Sequence, residues 1–502
     1  MNDKNQFVCF LSGAAGTGKS RVINGVRHYC KLLCNELGVE FTKRTIVVTA
    51  VTGSAAVAIH GKTMHSACNF CSKKRKDTDK DWKNTIMVIV DEISFITKSD
   101  FELLNDVLNT KTDLPNGTIF GNLQMVFAGD FCQLKPPQFG SCPLYVYKDC
   151  ALWHHKVNTF LELRTNHRFS LDEKWGKLLQ HFRRIGPTLD DVKKINARVV
   201  EDSNGLTESD IPDDICYAVR TNMDRNAIND VVFKKVVELS KHSKQFVDVK
   251  PKFTLCIKAS EMKIKVADTK RTFKDMSHLL QSLIYTCCGD AHIRGGRCNT
   301  QRFDPLLKLY VGCPVMISEN IYVANSMANG SMCKFVGLKL KSNVNMGSIN
   351  IDGYYVNCVE ANEVEYMVLE LQEHKKVNQC GELIRVKPRK TNQLIAEIPI
   401  PGAGSPYDHK TKRSKCTKIK FVQFPINISN ARTVHKLQGR TIENLMIASF
   451  DYTDNWIYVA LSRVTTLGGL YLMKALHHPK CKGMSAICKA FHSNFRDNKK
   501  PN

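Results

Sequence analysis

The octapeptide Gly13-Ala14-Ala15-Gly16-Thr17-Gly18-Lys19-Ser20 constrains this chain more than any other stretch. The apolar run Phe7-Val8-Cys9-Phe10-Leu11 before it reads as a buried strand. Arg21 to Leu37 follows with apolar residues at helical spacing, and Gly38 is a stop. Strand, glycine-rich loop and helix in that order are the context of a P-loop. Its glycines let successive backbone N–H groups curl round phosphate oxygens, where the helix N-terminus adds the positive end of its dipole. Gly13, Gly16, Thr17 and Gly18 shape that cradle, Lys19 is expected to reach the β- and γ-phosphates, and the Ser20 hydroxyl to ligate Mg²⁺. The stretch predicts binding of a nucleoside triphosphate.

Two later strands carry polar residues suited to that ligand. Ile86-Met87-Val88-Ile89-Val90 is a buried strand that runs straight into Asp91-Glu92. Two acids after a strand can be plain turn residues. After a P-loop, Asp91 is expected to ligate Mg²⁺ or to hold it through a water, and Glu92 to act as base for the attacking water. Leu123 to Ala128 is a further strand, leading into Gly129-Asp130-Phe131-Cys132-Gln133-Leu134-Lys135-Pro136. A glutamine in that place suits a sensor of the γ-phosphate. Thr45 to Thr49 is another strand, and Thr52-Gly53 opens the helix behind it. Small and hydroxylated residues there let a phosphate backbone approach, and they equally serve helix–sheet packing.

At 502 residues the chain is too long for one core. Its 72 Lys and Arg against 48 Asp and Glu leave a net charge of +24, an excess that favours a polyanionic partner. No apolar run approaches transmembrane length, and Met1-Asn2-Asp3-Lys4-Asn5 is no signal peptide, so nucleic acid is preferred to a membrane surface and an intracellular site is expected. Twenty cysteines then argue for reduced thiols. His65 with Cys68 and Cys71, and Cys287-Cys288 with His292 and Cys298, could be read as zinc ligands. Neither forms a paired C-x2-C pattern, so no zinc is assigned. Lys73-Lys74-Arg75-Lys76 stays open between a nuclear-localisation signal, a phosphate contact and a solvated loop.

Past Val157 to Leu163, a strand followed by Arg164-Thr165-Asn166-His167-Arg168, the pattern changes. Leu171 to Ile185 and Leu189 to Val200 read as helices, and Ile215 to Val219 begins a second α/β set. Residues 237–305 are basic and irregular. Leu309 to Ile317 reads as one strand and Asn329-Gly330 as a tight turn. Short β-runs over 334–424, with the basic segment Lys410 to Lys415, read as a small inserted β-barrel. Alternating helix and strand returns from Ala431 to Leu472, and a basic, partly ordered tail is expected beyond about 480.

From residue 7 to about 475 these blocks resemble the PIF (petite integration frequency) helicases of superfamily one, subgroup B. The resemblance rests on Gly129-Asp130-Phe131-x-Gln133-Leu134, Val434-His435-Lys436-Leu437-Gln438-Gly439 and Tyr458-Val459-Ala460-Leu461-Ser462-Arg463. Phe120 to Gln124, Leu309 to Met316 and Asn329-Gly330 extend it. It implies an α/β fold of two RecA-like P-loop NTPase domains with ATP between them and a small SH3-like β-barrel inserted in the second. The boundaries expected on this chain are 1–165, 166–335, 336–424 for the barrel, 425–480, and a tail from 481, with a basic insertion near 62–84.

The resemblance further implies that Lys19, Ser20, Asp91, Glu92 and Gln133 act from the first domain. Arg168 and Arg463 would act as arginine fingers from the second, and Gln438 and Gly439 would touch nucleotide. Thr52, Gly53, His65, Thr433, His435 and Lys436 match positions facing single-stranded nucleic acid. The implied activity is ATP- and Mg²⁺-dependent 5′-to-3′ translocation on single-stranded DNA with unwinding of forked duplexes, by a monomer. A nucleus or a viral or mobile-element replication site would suit it. An RNA helicase, a translocase without unwinding, and a nucleotide-gated binding module without turnover are the other readings. Two positions depart from the family: Gln6 lies too near the first strand for the usual adenine-contact glutamine, and Lys135 stands where proline is common.

Overall fold

The computed structural model describes residues 6–70, 82, 84–114, 118–136, 140–242, 253–265, 304, 306–319, 321, 327, 329–372, 381–396, 407–408, 413–414, 416–453 and 455–498. The basic run Lys73 to Lys76, Cys71, the group Cys287, Cys288, His292 and Cys298, and Lys410, Lys412 and Lys415 lie outside them. The chain divides into two compact units, one of residues 1–218 with 434–502, the other of residues 219–433.

In the first unit, strands β1 (Val8–Gly13), β2 (Ile46–Ala50), β3 (Lys62–Thr63), β4 (Met87–Asp91), β5 (Gln124–Gly129) and β6 (Thr159–Leu163) make one sheet. Their order is β3-β2-β4-β5-β1-β6 and every pairing is parallel. Parallel strands need crossovers that cover both faces, which is why β1, β2 and β4 are apolar almost throughout. Helices α1 (Lys19–Glu36), α2 (Gly53–Ala58), α3 (Met64–Cys68), α4 (Lys98–Thr112) and α5 (Ala151–Lys156) supply the cover. In register, Ser12 lies beside Gly129 and Val90 beside Phe127, so the P-loop, Asp91-Glu92 and Asp130–Gln133 all emerge at the carboxyl edge where α/β sheets bind ligands. Beyond β6 come α6 (Glu173–Arg184), α7 (Leu189–Asn196) and β7 (Cys216–Val219).

The second unit holds α8 (Asn222–His242) and strands β8 (Thr254–Lys258), β9 (Ser260–Lys265), β10 (Leu306–Tyr310), β11 (Pro314–Ile317), β12 (Met332–Leu340), β13 (Gly347–Ile351), β14 (Tyr354–Glu360), β15 (Val364–Leu371), β16 (Leu383–Val386), β17 (Arg389–Ala396), β18 (Tyr407–Asp408), β19 (Arg413–Ser414), β20 (Cys416–Gln423), β21 (Ile426–Ile428) and β22 (Ala431–Thr433). Three mainly antiparallel sheets, β16-β15-β12-β11-β21, β10-β8-β14-β13 and β17-β20-β9, contribute to one apolar core. The β-structure therefore begins at Thr254, well before the expected 336. Leu309 to Ile317 is also two strands, because Gly312 turns left-handed (φ 85°) and sends β10 to β8 but β11 to β12 and β21.

The chain returns to the first unit through α9 (Val434–Leu437), β23 (Leu445–Ile447), α10 (Trp456–Leu461), β24 (Leu470–Leu472) and α11 (Ala486–Asn498). β23 pairs in parallel with both β7 and β24, and Trp175, Leu179 and Phe182 of α6 pack with the fully apolar α10 on this second parallel sheet. The expectation of a partly ordered tail fails at α11. Cys488, Phe491 and Phe495 fall on one face by helical spacing and are buried in the aromatic core of the first sheet. Phe491 meets Phe131 edge-on at 5.5 Å, Phe495 meets Phe160 at 5.8 Å, and both lie beside Phe10 and Trp153. At the exposed side Arg496 forks onto Glu162 of β6, with Nη2 2.6 Å from Oε1 and Nε 3.1 Å from Oε2.

Candidate nucleotide site and nucleic-acid face

The P-loop is set by its own backbone and by the segment after β6. Gly16 and Gly18 adopt left-handed φ of 86° and 90°. A side chain at Gly16 would collide with Cβ of Arg168 and come within 2.7 Å of Asn166 Oδ1, so only glycine fits. Asn166 donates to the Ala15 carbonyl at 2.7 Å, and the His167 N–H to that of Gly16 at 2.9 Å. Lys19 Nζ donates to the carbonyls of Gly13 (2.7 Å) and Ala14 (3.2 Å), and Thr17 Oγ1 to Ala14 at 2.9 Å. Ser20 opens α1 directly behind Lys19.

Asp91 and Glu92 end the central strand β4, both buried. Burial, and then the neighbouring Glu92 charge, push the Asp91 carboxyl up to about 7, against the pull of Lys19 and of the Glu92 N–H that its Oδ1 accepts at 2.9 Å. Glu92 is left-handed (φ 59°), a conformation with a steric cost for a side chain of its size. Its Oε2 accepts from Gln438 Nε2 at 3.0 Å, and a Cβ on Gly439 would lie 3.4 Å from its Oε1. Gln438 also reaches Ser94 Oγ at 3.4 Å. The expected nucleotide contacts Gln438 and Gly439 thus lie against the expected base.

Residues of both parallel sheets therefore converge on one site. The family described as PIF1-like helicase matches residues 1–186. "ATP-dependent DNA helicase PIF7" of Trypanosoma brucei brucei is 23% identical over 495 residues, covering 92% of this chain and 44% of the relative. "ATP-dependent DNA helicase RRM3" of Saccharomyces cerevisiae is 24% identical, covering 92% of this chain and 62% of the relative. The chain spans about half the length of these relatives. Among solved structures, the Pif1 helicase of Candida albicans superposes with a TM-score of 0.63 at 18% identity, covering 98% of this chain and 95% of that one. Bacteroides Pif1 with ADP-AlF3 and ssDNA gives 0.61 at 18%, covering 99% and 95%.

The first 186 residues thus match the PIF1-like helicase family.

The two arginines expected as fingers occupy unlike places. Arg168, expected to reach in from the second domain, instead sits against the P-loop at Gly16, because β6 belongs to the first sheet and only four residues separate its end from Arg168. Its Nη1 donates to the Ser462 carbonyl at 3.0 Å, and burial lowers its pKa against the pull of Tyr458 and Glu92. Arg463 is fully buried in the second sheet's core. Its guanidinium donates to the carbonyls of Val459 (2.8 Å) and Arg440 (3.3 Å) and to Ser462 Oγ (2.6 Å). Burial, and then the Arg168 charge, bring its pKa down to about 9. In this conformation Arg463 ties α9 to α10, and Arg168 is the guanidinium at the P-loop.

Gln133 follows β5 and is 4% exposed, with Oε1 buried and lacking a hydrogen-bond partner. Its carbonyl accepts from Asn455 at 3.1 Å, and its loop is braced by the buried ion pair of Arg183 Nη2 with Asp130 Oδ1 at 2.7 Å. Sequence reasoning missed Asn166, Arg183 and Asn455. Asn166 was named within Arg164 to Arg168 but given no role, whereas no local signal links Arg183 or Asn455 to Asp130 and Gln133.

The expected nucleic-acid residues divide by element. Thr52 caps α2, its Oγ1 accepting from the Ala55 N–H at 3.3 Å, and Gly53 is the first residue of that helix. His65 is exposed on α3, edge-on to Phe70 at 5.0 Å. Thr433 ends β22; His435 and Lys436 follow on the exposed side of α9. The His435 ring stacks on Phe95 at 6.5 Å, and crowding by protein lowers its pKa against the charge of Asp451. Gln6 is buried, donating to the carbonyls of Ile119 and Leu123 at 2.8 Å each, so it braces the sheet edge as a structural residue. Lys135 is exposed beside the Gln133 loop.

Proposed function

We propose that this chain is an ATP-dependent DNA helicase that moves 5′-to-3′ along single-stranded DNA and opens forked duplexes. The observation that carries the reading is the Gln438–Glu92 hydrogen bond, which makes the expected base depend on a residue of the second parallel sheet. Hydrolysis in such a site is mainly positioning and charge stabilisation. Glu92 accepts the proton of the attacking water while Gln438 fixes its carboxylate. Gln133, with a free buried acceptor, orients that water at the γ-phosphate. Lys19 leaves its loop carbonyls for the phosphates, and Arg168 supplies charge as the phosphoryl group departs.

A hydroxyl and a buried carboxylate are hard oxygen donors, so Ser20 and Asp91 fit Mg²⁺, Asp91 directly or through a water. The ion would neutralise charge on the phosphates. Thr52, Gly53, His65, Thr433, His435 and Lys436 would hold the DNA backbone and stack on bases without reading sequence. The Bacteroides Pif1 structure with ADP-AlF3 and ssDNA supports nucleotide and single-stranded DNA as the ligands.

The test is ATP hydrolysis with and without single-stranded DNA or RNA, beside unwinding of forks bearing a 5′ or a 3′ tail. Stimulation by DNA with unwinding from the 5′ tail alone is the expected result. Stimulation without unwinding would make the chain a translocase, and stimulation by RNA alone would overturn the DNA assignment.

A further inference from the structure

Cys132, beside Gln133, and Cys488 and His492, one turn apart on α11, lie together in the interior of the first unit. All three are buried, and their ligating atoms lie within 4.8 Å of one another. Both ring nitrogens of His492 are buried without a conventional hydrogen-bond partner, although an imidazole in a core normally finds one. We propose that Cys132, Cys488 and His492 bind one zinc ion that fastens α11 to the loop carrying Gln133. This does not depend on the helicase reading.

Five considerations support the assignment. Two thiolates and an imidazole form a soft donor set that selects Zn²⁺ over the Mg²⁺ of the phosphate site. Cys488-x3-His492 places both helical donors on one face. Bonds of about 2.3 Å to sulfur and 2.0 Å to nitrogen need donors roughly 3.5–3.8 Å apart, which small side-chain rotations supply. Charge also balances: binding releases two thiol protons to solvent, leaving a neutral Zn–dithiolate–imidazole group beside the internally neutral Asp130–Arg183 pair. Cys488 also lines a cavity of about 660 Å³ shared with Gln133, Tyr145 and Lys135, which gives the ion a way in and supplies water for the fourth position.

The test loads the full chain with Co²⁺ and then Zn²⁺ and counts metal by mass spectrometry. Cys287→Ser, Cys288→Ser and Cys298→Ser are combined in one background variant, because those thiols could bind metal themselves. That background should keep one tightly held equivalent and a thiolate-to-cobalt charge-transfer band with tetrahedral visible absorption. Adding Cys488→Ser or His492→Gln should remove the equivalent and the band. A background chain with no metal and no band overturns the proposal without recourse to a core variant. An equivalent that survives both core substitutions overturns it equally.

Discussion

Gln438 donates from Nε2 to Oε2 of Glu92 at 3.0 Å across 346 residues of chain. The proposed base on the first parallel sheet is thereby aimed by an amide that follows α9 of the second. Movement between those elements would change the orientation of the carboxylate, and the proposed hydrolysis would then be under mechanical control.

Gln438→Ala should lower the ATPase kcat by about 10²-fold with little change in KM, since a misaimed base loses much of the 10²–10⁴ that general-base catalysis contributes. Steady-state hydrolysis measures both constants. A raised KM at unchanged kcat would make Gln438 a simple nucleotide contact.

Arg168→Ala and Arg463→Ala should separate chemistry from scaffold. Losing the guanidinium at the P-loop is expected to slow hydrolysis by roughly 10³–10⁵ with a modest change in thermal stability. Arg463→Ala removes the guanidinium donor from the carbonyls of Val459 and Arg440 and from Ser462 Oγ, costing about 1–3 kcal/mol. Calorimetry on the two variants decides the matter: equal Tm values would contradict a structural role for Arg463.

His435 stacks on Phe95, three residues beyond Glu92, so a residue proposed to face DNA leans on the turn that carries the proposed base. Phe95→Leu keeps an apolar filling but loses the stack. Basal hydrolysis should stay within a few-fold while stimulation by single-stranded DNA falls by about 10-fold. Stimulation undiminished in both Phe95→Leu and His435→Ala would remove this contact from the coupling.

Phe491→Ala should cost about 3–5 kcal/mol, because its ring fills the space between Phe131, Tyr145 and Trp153 in the first sheet's core. Denaturant unfolding gives the value directly. A loss below about 1 kcal/mol would mean that α11 is not part of the folded core.

Glu162 answers to pH. Partial burial works to raise its pKa, but the Arg496 fork and then Arg164 prevail and hold it below the usual carboxylate value. The folded chain therefore binds this proton less readily than the unfolded one. The pair's stabilisation is present above the ordinary glutamate range and is lost as pH falls through the lowered value. Acid should release α11 before the rest of the first unit, and Glu162→Gln should abolish that step, costing on the order of 1–2 kcal/mol at neutral pH. Hydrogen exchange of α11 amides between pH 3 and 7 follows it; identical profiles in both chains would exclude the pair as the cause.

What could be read in advance follows from the range of the interactions. The P-loop, Asp91-Glu92 and Gln133 were legible because each sits at a strand end within one short motif. Gln438 was legible as a motif member but not as the partner of Glu92, since nothing local couples residues so far apart. Arg168 was placed on the wrong side because its motif starts where β6 ends, and only the pairing of β6 with β1 shows which sheet holds it. The apolar spacing of Cys488, Phe491 and Phe495 was present in the sequence but masked by the surrounding Lys482, Lys489 and Arg496. Gly312 divides β10 from β11 by a backbone turn that an apolar run conceals.

The return of α11 to the first sheet also bears on how the molecule moves. Residues 164–172 lead out from β6 to α6, and residues 473–485 lead back from β24 to α11, with the Met484 N–H bonded to the Arg183 carbonyl at the end of α6. The second sheet is consequently attached to the first at two places. A body moored at one point can swivel in any direction, whereas one moored at two can only swing about the line between them. Movement of one sheet against the other is thus expected to be that of a door on paired hinges, each swing returning Gln438 to Glu92 along the same arc.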